Sequence, residues 1–172
     1  GGSHQAPVGV LMGKGWEQAV ACVAVQMAGR AYVPMSPGWP PERIANIASQ
    51  TKMASCLIAA KEAAAVISGG LVPCKVRRLQ VSKADLPPAD APLALDPWRR
   101  RAHVEDDAYV IFTSGSFAGV PKGVVVPHGG GHNTCMDCNS RWQVGPTDAV
   151  LSLADLTSDL SVYDLFGMLG AG

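Results

Sequence analysis

Tyr109-Val-Ile-Phe-Thr-Ser-Gly-Ser-Phe-Ala-Gly-Val-Pro-Lys-Gly-Val-Val-Val-Pro-His128 decides how the rest of this chain is read. An apolar run over residues 108–112 enters Thr113, Ser114, Gly115 and Ser116. Gly119, Pro121, Lys122 and Gly123 follow, and a second apolar run occupies 124–126. A strand that opens into a hydroxyl- and glycine-rich loop closed by a lysine carries the donors a polyphosphate needs. Glycines let backbone N–H groups turn toward an anion. Hydroxyls donate to phosphate oxygens, and the lysine adds a point charge. Two common templates do not fit. Pro121 precedes Lys122 and Gly123 follows it, so the Gly-Lys-Ser/Thr ending of a Walker loop is not met. No Gly-x-Gly-x-x-Gly joins a strand to a helix, as a Rossmann dinucleotide site requires.

Upstream, residues 8–12 form a short apolar run and Gly13-Lys-Gly15 a turn. Trp16, Val20, Val23 and Met27 recur at helical spacing, predicting a helix over 16–28 that ends on Gly29. Residues 31–35 read as a brief extended segment that Pro34 restricts to an edge or a terminus. Pro41 opens a helix to residue 50, since proline suits the first helical position. A buried strand is expected at 55–59, a short helix at 61–68 and a strand at 74–81. Residues 82–107, rich in Pro, Ala and Asp, read as a surface linker. Beyond the loop, Gly129-Gly-Gly131 punctuates the chain, with a helix expected at 132–142, a strand at 149–153 and a helix at 159–169. Strands alternating with helices predict an α/β fold, a parallel-type sheet flanked by helices.

At 172 residues the chain is long enough for one domain burying roughly 70% of its extended surface. Apolar residues make up 48%, and 14 basic residues balance 14 acidic ones. Zero net charge gives neither nucleic acid nor a membrane surface a general electrostatic hold. No apolar stretch approaches the roughly 20 residues of a bilayer span, and no signal peptide opens the chain. The five cysteines, Cys22, Cys56, Cys74, Cys135 and Cys138, are odd in number and scattered, which predicts reduced thiols and a cytoplasmic setting. Cys135-Met-Asp-Cys138 lacks the second pair of ligands zinc needs, so it reads as two thiols one helical turn apart and no metal site is assigned. The opening Gly1-Gly-Ser-His4, without methionine, reads as an added or cut end, so residues 1–7 are set apart and 8–172 taken as part of one domain.

The loop's wording, Thr-Ser-Gly-Ser and then Pro-Lys-Gly-Val, resembles the phosphate loop of the adenylate-forming superfamily: acyl-CoA ligases, luciferases and the adenylation domains of nonribosomal peptide synthetases. Three further segments resemble adenylation-domain motifs in the same order. They are Val8-Gly-Val-Leu-Met-Gly-Lys-Gly-Trp-Glu-Gln18, Met27-Ala-Gly-Arg-Ala-Tyr-Val-Pro-Met35 and Leu156-Thr-Ser-Asp-Leu-Ser-Val-Tyr-Asp-Leu-Phe-Gly167. The resemblance implies the large N-terminal subdomain of such an enzyme, which converts an amino acid and ATP to aminoacyl-adenylate and pyrophosphate. The acyl group then passes to phosphopantetheine on a carrier domain, beside condensation or cyclisation domains. Thr113, Ser114, Gly115, Ser116, Gly119, Lys122 and Gly123 would hold the ATP phosphates, with Mg2+. Asp159 would pair with the substrate α-ammonium, and Leu160 and Tyr163 would line its side-chain pocket; the Asp-Leu and Tyr pattern resembles domains that load cysteine. Read from the residues alone, Asp159 serves equally as a helix N-cap.

The chain departs from the family pattern at the loop, where Phe117-Ala118 stand in place of one threonine. Phe117 cannot donate to phosphate. Ser158 replaces the aromatic residue before the pocket aspartate. The adenine, ribose and catalytic-lysine motifs of the family have no counterpart in these residues, so no catalytic residue is assigned and the chain by itself is expected to be inactive. An acyl-CoA ligase piece and a non-catalytic remnant that binds nucleotide weakly are the alternative readings.

Overall fold

The computed structural model describes residues 5–73, 75–85, 102–113 and 121–172. Six strands form a single sheet: β1 (Val8–Leu11), β2 (Tyr32–Met35), β3 (Ser55–Ala59), β4 (Arg77–Val81), β5 (Asp107–Thr113) and β6 (Lys122–Pro127). Their order is β4-β3-β1-β2-β5-β6. Every neighbouring pair is parallel except β5 and β6, which run antiparallel with Thr113 opposite Lys122. The parallel sheet thus ends in one antiparallel hairpin, and the candidate phosphate loop joins its two strands.

Helices cover both faces. On one, α2 (Pro41–Thr51) and α3 (Ala63–Ser68) seal Leu11, Val33, Met35, Ile58, Val110 and Phe112. On the other, α1 (Trp16–Met27) and α4 (His128–Trp142) pack over Val8, Val10, Tyr32, Tyr109 and Ile111. Adjacent strand residues such as Val110 and Ile111 therefore face opposite cores, so these strands read as continuous apolar runs. A last helical segment runs from α5 (Leu160–Val162) through a π-turn (Tyr163–Gly167) into α6 (Met168–Ala171).

Three sequence expectations need correction, and a fourth is narrowed to one of its two alternatives. Of the two places that suit Pro34, the terminus holds and the edge does not: β2 lies between β1 and β5, and the proline sits near its end, beyond the single Tyr32–Tyr109 pairing with β5. The expected helix at α1 forms, but its apolar stripe is not the buried one. Ala21, Cys22 and Val25 face the core, whereas Trp16 and Met27 are 42% and 45% exposed. A helix apolar nearly all round gives periodicity little to choose by, and small Ala21 and Cys22 permit the closer approach.

Gly129-Gly-Gly131 does not interrupt the chain; it is the first turn of α4. The N–H groups of His128 and Gly129 donate to the carbonyls of Asp106 and Val104 at 2.9 and 2.8 Å, satisfying helix-start donors that have no partner inside the helix. A side chain at 129 would meet the Val104 carbonyl oxygen at 3.1 Å, so the absent Cβ is what lets helix and turn come together. Finally, residues 149–153 form no strand. They run without a sheet partner among the described residues, with Leu151 and Leu153 78% and 77% exposed and the Ser152 carbonyl accepting from Lys14 Nζ at 2.8 Å.

Candidate substrate site

The phosphate-loop residues divide. Ser114, Gly115, Ser116 and Gly119 lie outside the described residues. Thr113 and Lys122 face each other where the hairpin opens, both exposed, and Thr113 Oγ1 donates to the Lys122 carbonyl at 3.5 Å. Gln50 Nε2 donates to the Pro121 carbonyl at 3.2 Å, tying α2 to the base of the loop. A Cβ on Gly123 would sit 3.0 Å from the Phe112 ring, so the close pairing of the two strands relies on glycine there. A hydroxyl donor and an unburied cation at the rim of a short hairpin are the groups a polyphosphate would meet first.

Asp159, Leu160 and Tyr163 come together on one cavity of about 530 Å³. Thr134, Cys135, Cys138 and Trp142 of α4 form a second wall, Tyr109 of β5 contributes, and Leu151 and Leu153 stand at its edge. Tyr109 and Thr113 lie on the same strand, four positions and so about 13 Å apart. One strand thereby carries both the cavity wall and the rim of the phosphate hairpin.

The geometry bears on the N-cap reading of Asp159. It occupies the N-cap position of α5 but has helical dihedrals (φ −61°, ψ −27°) and makes no capping hydrogen bond through its side chain. The Leu160 N–H instead donates to Ser158 Oγ at 3.4 Å. Ser158, which replaces the family's aromatic residue, therefore reaches the helix start, and the exposed Asp159 carboxylate is left at the cavity, accepting from the Ser158 hydroxyl at 3.4 Å. Its charge is felt at Tyr109, whose phenol is held above its ordinary range by burial first, then by Cys135 and Asp159. Asp164 also lines the cavity, but its Oδ2 accepts from the Ala154 N–H at 3.3 Å, so it fixes the approach to the helix.

Both thiols of the C-x-x-C sit on α4 and open onto this cavity. Cys135 is buried, its thiol pushed up by burial and by Cys138; Cys138 is half-buried. Among the described residues no three His, Cys, Asp or Glu side chains converge as metal ligands. Sequence reasoning passed over Asn139, which is buried on α4 and bonded to Tyr163. No local signal marks it, because its partner is 24 residues away.

A parallel sheet closed by an antiparallel hairpin, with helices on both faces, is the N-terminal subdomain architecture of adenylate-forming enzymes. The model of the AMP-binding enzyme family matches residues 1–172, and the chain belongs to that family. It is 38% identical over 165 residues to pyochelin synthetase PchF of Pseudomonas aeruginosa, covering 96% of this chain and 8% of that synthetase. It is 35% identical over 165 residues to bacitracin synthase 1 of Bacillus licheniformis, again over 96% of this chain and 3% of the relative. The solved nonribosomal peptide synthetase FmoA3, in its AMPPNP-bound form, superposes with a TM-score of 0.80 at 34% identity, over 100% of this chain and 17% of that one. The chain thus spans less than a fifth of each of these relatives. No helix among the described residues is long and apolar enough to cross a membrane.

Proposed function

We propose that this chain is the portion of an amino-acid-activating adenylation domain that receives the substrate ammonium and the phosphates of ATP. The observation that carries the reading is the shared cavity: Asp159, Leu160 and Tyr163 all open onto it, with the Asp159 side chain not used as a helix cap. A carboxylate at the edge of a partly apolar cavity favours an ammonium group through a charge-assisted hydrogen bond. Leu160 and Tyr163 would then meet the substrate side chain, with cysteine the first substrate to try.

In the reaction, an oxygen of the amino-acid carboxylate attacks the α-phosphorus of ATP, and pyrophosphate leaves with the electrons of the broken P–O bond. Asp159 would orient the attacking carboxylate by holding the ammonium at its other end. Thr113, Lys122, Gly123 and the loop between them would hold the β- and γ-phosphates. The exposed Thr113 hydroxyl and Lys122 cation fit that task, and Mg2+ would be carried by the phosphates themselves. Transfer to a phosphopantetheine thiol on a carrier domain would follow. No lysine here is assigned to offset charge on the α-phosphate as attack proceeds, a contribution catalysis needs. The chain by itself is therefore expected to bind and not to turn over.

Calorimetry of the chain with Mg-ATP and a panel of amino acids, cysteine first, tests the reading, beside amino-acid-dependent ATP–pyrophosphate exchange. Asp159→Ala should weaken amino-acid binding about tenfold or more, the worth of a charge-assisted bond, and leave Mg-ATP binding unchanged. Equal binding of an amino acid and its des-amino analogue would refute the ammonium role. Exchange by the chain alone would refute the claim that it does not turn over.

A further inference from the structure

Asn139 is a buried amide, 6% exposed, with both ends engaged across the chain. The Tyr163 hydroxyl donates to its Oδ1 at 2.9 Å, and its Nδ2 donates to the Gly167 carbonyl at 2.8 Å. The second bond fixes which end of the amide is which, because a carbonyl oxygen can only accept. Gly167 closes the π-turn of the last helical segment, so the amide ties α4 to that turn. Tyr163 opens the π-turn of that segment, an irregularity often found at functional sites.

The phenol ring is held from three sides. Asn139 takes its hydroxyl. Trp142 meets its edge at 5.2 Å between centroids and 88° between planes. Gly167 lies beneath it, so close that a Cβ there would fall 2.6 Å from two ring carbons. Tyr163 and Trp142 both line the cavity, whereas Asn139 does not. An apolar side chain of similar size would fill the space of Asn139 without a buried polar group to satisfy. What the amide adds is direction: with its hydroxyl committed to Asn139, Tyr163 offers the cavity an aromatic surface and no free donor.

We propose that Asn139 is a positioning residue which, by holding the Tyr163 hydroxyl, makes the cavity favour a compact apolar or thiol side chain over a hydroxyl-bearing one. The inference rests on the amino-acid-binding reading above for its ligand, but the held ring is testable without any ligand.

The experiment uses the 172-residue chain with Asn139→Leu, Tyr163→Phe and the double variant. Near-ultraviolet circular dichroism reads the Trp142–Tyr163 contact in the absence of ligand, and peptide-mapped alkylation of Cys138 reads the cavity wall beside it. Calorimetry with cysteine and serine gives the ratio of their affinities. Asn139→Leu should lose the aromatic signal, speed Cys138 alkylation and lower the cysteine-to-serine ratio about fivefold, the worth of one hydrogen bond. The double variant should be no worse than Asn139→Leu, because both changes break the same bond. A general loss of stability would lower both affinities together and leave their ratio unmoved. Retention of the aromatic signal in Asn139→Leu, an unchanged ratio, or additive effects of the two substitutions would overturn the proposal. If the unsubstituted chain binds no amino acid, the functional reading fails, and the aromatic and alkylation readouts still decide whether Asn139 holds the ring.

Discussion

Gly167 and Gly170 lie three positions apart in the last helical segment, yet replacing each with alanine should move stability in opposite directions. Alanine is intrinsically better than glycine in a helix by about 1 kcal/mol. At 170 nothing lies within 4 Å of the added methyl, so most of that gain should appear, reduced by its place near the helix end. At 167 the methyl would sit 2.6 Å from Cδ2 and Cε2 of Tyr163. The ring cannot simply turn away, since Trp142 meets its edge and Asn139 holds its hydroxyl at 2.9 Å. Overpacking of this kind costs about 1–3 kcal/mol, and the displaced hydroxyl loses a bond worth about 1 kcal/mol. Set against the propensity gain, the net is a destabilisation of about 2 kcal/mol. For a domain of this size that lowers Tm by about 4–8 °C, whereas Gly170→Ala should raise it by about 1–3 °C. Differential scanning calorimetry of the three proteins measures both, with near-ultraviolet circular dichroism reporting whether Tyr163 has left Trp142. If Gly167→Ala matched Gly170→Ala in Tm with the aromatic signal intact, the ring does not lie over Gly167 and the described cavity wall is wrong.

Cys22 and Cys56 are buried thiols, each pushed up to about 12 from an ordinary value of 9.0, by burial in both cases. Their folded values exceed their unfolded ones, so the stability they confer is full below pH 9 and is lost as pH rises toward 12. The loss reaches up to about 4 kcal/mol per thiol, read as a falling urea midpoint between pH 8.5 and 11 that flattens in the Cys22→Ala/Cys56→Ala variant. Both carboxylate oxygens of Glu62 accept from the Gly13 N–H, at 2.8 and 3.0 Å. Glu62→Ala should cost about 1.5–2 kcal/mol and about 3–8 °C in Tm, with Glu62→Gln recovering much of it; equal melting of both variants would remove the carboxylate from the account of that turn. Replacing Phe117-Ala118 by a single threonine should tighten Mg-ATP about tenfold by calorimetry, because it restores a hydroxyl donor.

What the sequence made legible was local. The buried strand at Ser55–Ala59 and the proline-started helix at Pro41–Thr51 follow from apolar runs and turn chemistry that act within a few residues. Two of the misreadings turn on contacts distant in sequence. Gly129-Gly-Gly131 resembles a break until the Val104 and Asp106 carbonyls arrive to satisfy the helix start. Residues 149–153 carry a strand's apolar character, but that character becomes a strand only if another strand lies alongside, and among the described residues none does. The candidate site divides in the same way. Asp159, Leu160 and Tyr163 stand within one helical turn of each other, so a motif can name them together. The groups that hold Tyr163 in place come from α4 and from the segment's own far end, and no spacing rule connects Asn139 to a residue 24 positions on. A motif therefore lists the residues that would face a ligand, while the orientation of those residues is written in partners the motif omits. That is why Asn139, absent from every pattern read in the sequence and from the cavity lining itself, is nonetheless the residue that holds the Tyr163 hydroxyl and the Gly167 carbonyl.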